Sequence, residues 1–384
     1  MTIQLLATLV VFRRSILAVG AAPLMHRLAK SWILLAISAA VCSTGQAVTI
    51  ETVLVGNAGN PGDTRYRNIS RGSVDYDFRI GKYEVTNAQY AEFLNAVDPT
   101  GGNALKLYED VFELDNGNRG IIFNNEGENG AKFELKPGRE NNPATFITWY
   151  NAIRFANWLH NGQGNGGTEE GAYSLSAGAP DADGQPRFPG NITRNPGATW
   201  WVPSEDEWYK AAYHKNDGVT GNYWDYPTAT DAVPFSDQPP GNDAPEESNT
   251  ANFFKNDQLA NGFDDGYAVT GSASLDNSQN YLTDVGAYTS SPGPYGTFDQ
   301  GGNVREWNDH GDPTSGGFLP FISGGSWIDN SSVLRASARV EGNPGRFSSG
   351  FHGFRVATIV PEPGALPLAA LAMIAPWHRR NRSA

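Results

Sequence analysis

Cysteine is almost absent from this sequence. The single thiol, Cys42, lies within the first 47 of 384 residues. A chain cut behind that point has no disulfide framework and no thiolate metal site. Charge is sparse too, at 18% of residues, while 44 glycines and 24 prolines interrupt the long periodic segments that a bundle or coiled coil needs. Histidine occurs six times and never as HxxxH or HxH, so a helical metal pair is not indicated. No uninterrupted apolar run reaches the length of a membrane-spanning helix. There is no G-x-S-x-G elbow, phosphate-binding loop, dinucleotide fingerprint or repeat of 20–50 residues.

The sequence does hold enough apolar residues for a core (39%, with 11% aromatic) and an excess of acid. Residues 1–47 carry four basic side chains and no acidic one; 361–384 carry three and one. The rest has 21 basic against 40 acidic groups. Such a surface repels nucleic acid, which is not expected as a partner, and tolerates cations.

The ends read as addresses. Met25-His26-Arg27-Leu28-Ala29-Lys30 is a basic segment, Trp32 to Val41 a short apolar run, and Gly45-Gln46-Ala47 a small-residue cleavage site. Residues 1–47 are therefore expected to be an export signal, with Met25 the possible true start. At the other end Val360-Pro361-Glu362-Pro363 precedes an apolar run to Ala375 and then Arg379, Arg380 and Arg382. This order resembles the PEP-CTERM sorting signal. It implies export through the inner membrane of a Gram-negative-type bacterium and handling of residues 358–384 by envelope sorting machinery.

Between the ends, three helices are legible. Thr86 with Gln89 three residues on, Thr148 before Trp149, and Ser204 with Glu207 all have the form of helix N-caps. Behind them Tyr90, Phe93, Leu94 and Val97, and then Ile153, Phe155, Ala156, Trp158 and Leu159, recur at helical spacing. Short strands are predicted near residues 49–55, 78–84, 120–123, 132–135, 321–327, 333–339 and 350–357. The stretch Tyr295–Asp309 (YGTFDQGGNVREWND) joins glycine turns, the oxygen donors Asp299 and Glu306, and an apolar anchor, Trp307. It reads either as a loop folded round a Ca²⁺ ion or as a glycine turn with solvated acids.

Six blocks in order carry a family resemblance: 81–97, 143–159, 201–213, 295–307, SGGSW at 323–327 and GFRVA at 353–357. Together they resemble the formylglycine-generating enzyme, or sulfatase-modifying factor, family over about 51–357. The resemblance implies one compact, loop-rich α+β domain over 48–357, a variant of the C-type-lectin fold. It also implies two structural Ca²⁺ sites. One would use Asp299, the carbonyls of Gly302 and Val304, and Glu306; the other Asn252 and Asp265 with the carbonyls of Phe253 and Tyr267.

Members that make formylglycine hold copper on two cysteines just after the GGSW-like segment. Here Asp329 stands at the first position and a serine-containing run without cysteine covers the second. Carboxylate and hydroxyl oxygens are poor Cu(I) ligands, so copper is not expected and no catalytic residue carries over. Two readings remain. One is a calcium-stabilised binding or structural module whose groove includes Trp327, Asp329, Arg335 and Arg339, taking a peptide, glycan or extracellular polymer. The other is an oxidase of the same family, or a non-haem-iron relative, with ligands other than cysteine.

Overall fold

The computed structural model describes residues 47–66, 69–109, 117–175, 192–309, 320–338, 340–341 and 348–361. Of the two predicted addresses, 1–47 and 358–384, all but Ala47 and residues 358–361 lie outside the described residues, as does Arg339. The described residues all fall in one compact unit. No helix among the described residues is long and apolar enough to cross a membrane.

Strand β1 (Thr52–Val55) pairs antiparallel with β2 (Phe78–Gly81), and the chain then enters helix α1 (Asn87–Val97). The helix begins there because Thr86 and Gln89 close a capping box, the Thr86 hydroxyl accepting from the Gln89 amide. A small hairpin, β3 (Ile121–Phe123) with β4 (Phe133–Leu135), leads to α2 (Trp149–His160). Every residue of α2 except His160 is buried. The two-residue strand β5 (Trp200–Trp201) precedes α3 (Glu205–Tyr213), whose Ser204–Glu207 capping box also closes. His214 is extended and stops the helix.

The helices pack on a four-stranded sheet in the order β1-β2-β14-β5, where β14 is Ala357–Thr358. Phe93 meets Phe155 and Trp158 edge to face with centroids 5.4 Å apart, Phe155 and Trp158 lie tilted at 5.6 Å, and all three are fully or almost fully buried.

Residues 215–295 show little periodicity, yet they carry two small ladders. One is parallel, between β6 (Phe235–Ser236) and β7 (Thr250–Ala251); the other is the hairpin β8 (Phe254–Asn256) with β9 (Asp265–Tyr267). A second four-stranded sheet takes β10 (Arg305–Trp307) as an inner strand, next to β11 (Phe321–Ser323) and β13 (His352–Gly353), with β12 (Val340–Glu341) at its edge. The result is an α+β, loop-rich fold, as the resemblance implies.

The strand expected over 333–339 is not seen; its described residues, up to 338, form turns. The alternating pattern there has another cause. Leu334 and Ala336 point into the core from a loop that has no ladder partner.

Candidate functional site

Three loops meet on the inner end of β10. Gly302, with φ +102°, lies so close to the Asn252 carbonyl that a Cβ there would collide with it. The Asn303 amide donates to the same Asn252 oxygen at 2.8 Å, and Gly302 donates to the Gly324 carbonyl at 3.0 Å. The loops bearing Asn252, Gly302 and the GGSW segment therefore pack as one body.

Asn303 is the hub. Its Oδ1 accepts from Asn252 Nδ2 (3.1 Å) and the Thr283 amide (3.1 Å), and its Nδ2 donates to Glu84 Oε1 (3.3 Å). Its φ of +56° is one that Asn tolerates better than most residues. Sequence reasoning missed both Asn303 and Glu84. The signal was present: an Asn following two glycines inside a recognised block, and a Glu beside the Thr86 cap.

Glu306 and Asp299 are both close to Arg355. Glu306 is fully buried, and its carboxylate is filled. Arg355 Nη2 and Nε donate to Oε1 and Oε2 at 2.6 Å each, and Trp208 Nε1 donates to Oε2 at 2.8 Å. The same guanidinium holds the carbonyls of Gly81 (2.8 Å) and Phe298 (2.9 Å). Asp299, at φ +60°, accepts from the Gly286 amide at 2.6 Å.

Glu84 is 2% exposed, and its Oε2 has no partner. Burial, then the charges of Asp299 and Glu306, push its pKa well above the usual carboxylate range, against the pull of Arg355. Three carboxylates thus share one guanidinium. Glu84 also forms part of the wall of a cleft of about 600 Å³, together with Thr49, Tyr83, Gln89, Asn141 and Asp284.

These observations test the expected calcium sets. An orphaned buried oxygen beside uncompensated negative charge fits a cation on the Asp299–Glu84 side, with the Gly302 and Val304 carbonyls in the same loop. Glu306 already accepts three hydrogen bonds, two from Arg355 and one from Trp208. Among the described residues no three His, Cys, Asp or Glu side chains gather into a metal site by themselves, so an ion would depend on carbonyls and water.

The second set lies just before β8 and on β9, two segments joined by Ser236 Oγ, which donates to the Phe253 and Gly266 carbonyls. The β8–β9 register holds Asp265 opposite Asn256, four residues along from Asn252. Asp265 accepts from its own Gly262 amide. The Phe253 carbonyl accepts from Ser236 Oγ at 2.6 Å, and the Tyr267 carbonyl from the Thr270 and Gly271 amides. The acid facing inward here is Asp264, paired with Lys255 Nζ at 2.7 Å.

The GGSW segment is just as firmly held. Gly324 and Gly325 have φ of +90° and +72°, and Trp327 stacks on Tyr281 with centroids 4.6 Å apart and planes 8° from parallel. Asp329 is 9% exposed. Arg305 grips it with two hydrogen bonds, Nε to Oδ2 at 2.7 Å and Nη2 to Oδ1, while the Ser326 amide (2.9 Å) and hydroxyl (2.7 Å) donate to Oδ2. His352, stacked on Trp307, has its pKa pushed down to about 3 by burial and by Arg305, so it is a neutral imidazole at ordinary pH. The cavity under Gly324, Val333 and Ala338 is only about 10 Å³.

The expected groove residues therefore separate. Trp327 and Asp329 are built into the wall, while Arg335 is on the surface. It bonds Asp225 at 3.3 Å, beside Arg65 and Tyr66, which bond the same carboxylate.

Known proteins share this arrangement of blocks. Residues 43–360 match the model of the sulfatase-modifying factor enzyme 1-like domain. The chain belongs to this family. Among curated proteins none matches it. Solved structures similar to this family member include one titled crystal structure of CarF (20% identity, 82% of this chain and 100% of that chain, TM-score 0.47). Treponema denticola variable protein 1 is also similar (18% identity, 83% and 98%, TM-score 0.46), as is PvdO from Pseudomonas aeruginosa (15% identity, 82% and 93%, TM-score 0.40).

Proposed function

We propose that this family member is an exported, envelope-associated binding module without the family's copper chemistry. One observation carries the reading. At the first cysteine position implied by the family resemblance stands Asp329, and its carboxylate is saturated by Arg305 and Ser326. A soft Cu(I) ion has no thiolate to bind there, and both Asp329 oxygens already accept hydrogen bonds from Arg305 or Ser326. The neutral His352 is held by Ser349 at 2.7 Å and packed on Trp307.

A structural Ca²⁺ ion belongs to this reading at the Asp299 loop, where Glu84 and Asp299 would hold it with nearby carbonyls. When bound it would supply charge balance, joining the loops of Glu84, Gly286 and Gly302. The envelope address rests on the two sequence ends. The surface this reading offers to a partner is the exposed Arg335 beside Asp225, whose remaining guanidinium N–H groups suit a peptide, glycan or extracellular polymer.

The test is metal analysis of the purified protein with an oxygen electrode. The expected result is no stoichiometric copper or iron and no oxygen uptake with thiol substrates. Stoichiometric redox metal accompanied by turnover would favour the oxidase instead.

A further inference from the structure

The described chain becomes anchored at one residue. Val48 N–H donates to Gln163 Oε1 at 2.6 Å, and Gln163 Nε2 donates back to the Val48 carbonyl at 2.9 Å. The next carbonyl, Thr49, accepts from Gln89 Nε2 at 3.0 Å, and Val48 and Ile50 pack against the main core. Ala47, one residue earlier, is exposed. Among the described residues, the first anchored one is thus Val48, which directly follows the small-residue sequence Gly45-Gln46-Ala47.

Gln163 itself is in an unusual place. It follows the C-terminus of α2 with φ +66°, between Gly162 at +85° and Gly164 at +57°. Glycine enters that region freely, whereas glutamine enters it with strain. Its backbone amide still bonds the Trp158 carbonyl at 2.9 Å, so the turn is made whatever side chain is present. The side chain contributes the two bonds to Val48. Its amide group presents an acceptor to the Val48 nitrogen and a donor to the Val48 carbonyl, so it reads both ends of one residue.

We infer that Gln163 is a receptor for the amino terminus created by cleavage between Ala47 and Val48. The inference rests on the export reading above. In the step itself, water adds across the Ala47–Val48 amide under a membrane-bound peptidase, leaving a carboxylate on Ala47 and an α-ammonium on Val48. The Val48 nitrogen then carries a positive charge at neutral pH. Its bond to Gln163 Oε1 becomes charge-assisted, stronger than the amide–amide bond before cleavage. Cleavage would thus tighten the first stitch of the segment that leads into β1.

The experiment has two arms. First, the full chain is expressed with its own leader, recovered from the envelope or medium, and its N-terminus is sequenced; Val48 is expected. Second, Gln163→Glu is compared in this processed chain and in a chain that keeps residues 44–47 ahead of Val48. A carboxylate can pair with an ammonium but gains little from a peptide N–H. The melting temperature of the variant, relative to its parent, is therefore expected to be higher in the processed chain by about 2–4 °C.

An exported protein cut at another bond, or an effect of Gln163→Glu that is equal in both chains, would overturn the inference and leave the export reading standing. A full-length chain that stays inside the cell with its leader uncut would overturn both.

Discussion

Replacing Asp329 by Ala removes the group on which the functional reading depends. Four hydrogen bonds are lost: two from Arg305 and two from Ser326. The Arg305 side chain is 22% exposed and stacks over Phe351 at 5.1 Å, so it cannot turn fully into water. Breaking a buried pair from one side leaves an uncompensated charge and costs about 3–5 kcal/mol. Since Arg305 keeps some contact with solvent, about 3 kcal/mol is expected for Asp329→Ala. Arg305→Met should cost less, because the methionine can still pack on Phe351 and Asp329 retains Ser326. The double variant should then be about 1–2 kcal/mol more stable than the sum of the two losses predicts. Urea denaturation of the four proteins measures this directly. A cost below about 0.5 kcal/mol for Asp329→Ala, with additive losses, would refute the reasoning. Asp329 would then be a free ligand at a site open to chemistry.

Other outcomes follow from neighbouring parts of the fold. Glu84→Gln removes one of three carboxylates around Arg355, so it should raise the melting temperature in chelator and weaken the response to added calcium; differential scanning calorimetry reads both. Gly302→Ala forces a Cβ against the Asn252 carbonyl at a positive φ and should cost several kcal/mol by chemical denaturation. Burial lowers the Lys210 pKa to about 8, against an ordinary unfolded value near 10.4. The unfolded chain therefore binds more protons between these values, and stability should rise as pH climbs from about 8 towards about 9.5. Lys210→Met should flatten that rise in a pH series of melting temperatures.

The sequence made the helices legible because their starts are local chemistry. Thr86 with Gln89 and Ser204 with Glu207 are capping boxes that need no tertiary partner to be read. The fold class followed from six blocks in order. The strands of 215–295 were not legible, since two- and three-residue ladders such as β6–β7 are too short to show a period.

The site was legible in part. Gly302 and Asn252, which the resemblance assigned to two separate calcium sets, pack directly against each other, because a tight glycine turn must pack on something. The bond from Asn303 to Glu84 joins residues 219 positions apart, and Glu306 is held by an arginine 49 positions away. Spacing along the chain carries no trace of such pairings. Asp265 shows the converse: a motif match in sequence whose hairpin register sets it opposite Asn256.

The most direct test of the central claim is to offer the purified protein a CxPxR-type sulfatase peptide with Cu(I), a reductant and oxygen, and to follow the peptide by mass spectrometry. The account predicts that the cysteine stays unconverted and that copper does not remain bound after dialysis. Aldehyde formation at the cysteine, with copper retained in stoichiometric amount, would contradict it.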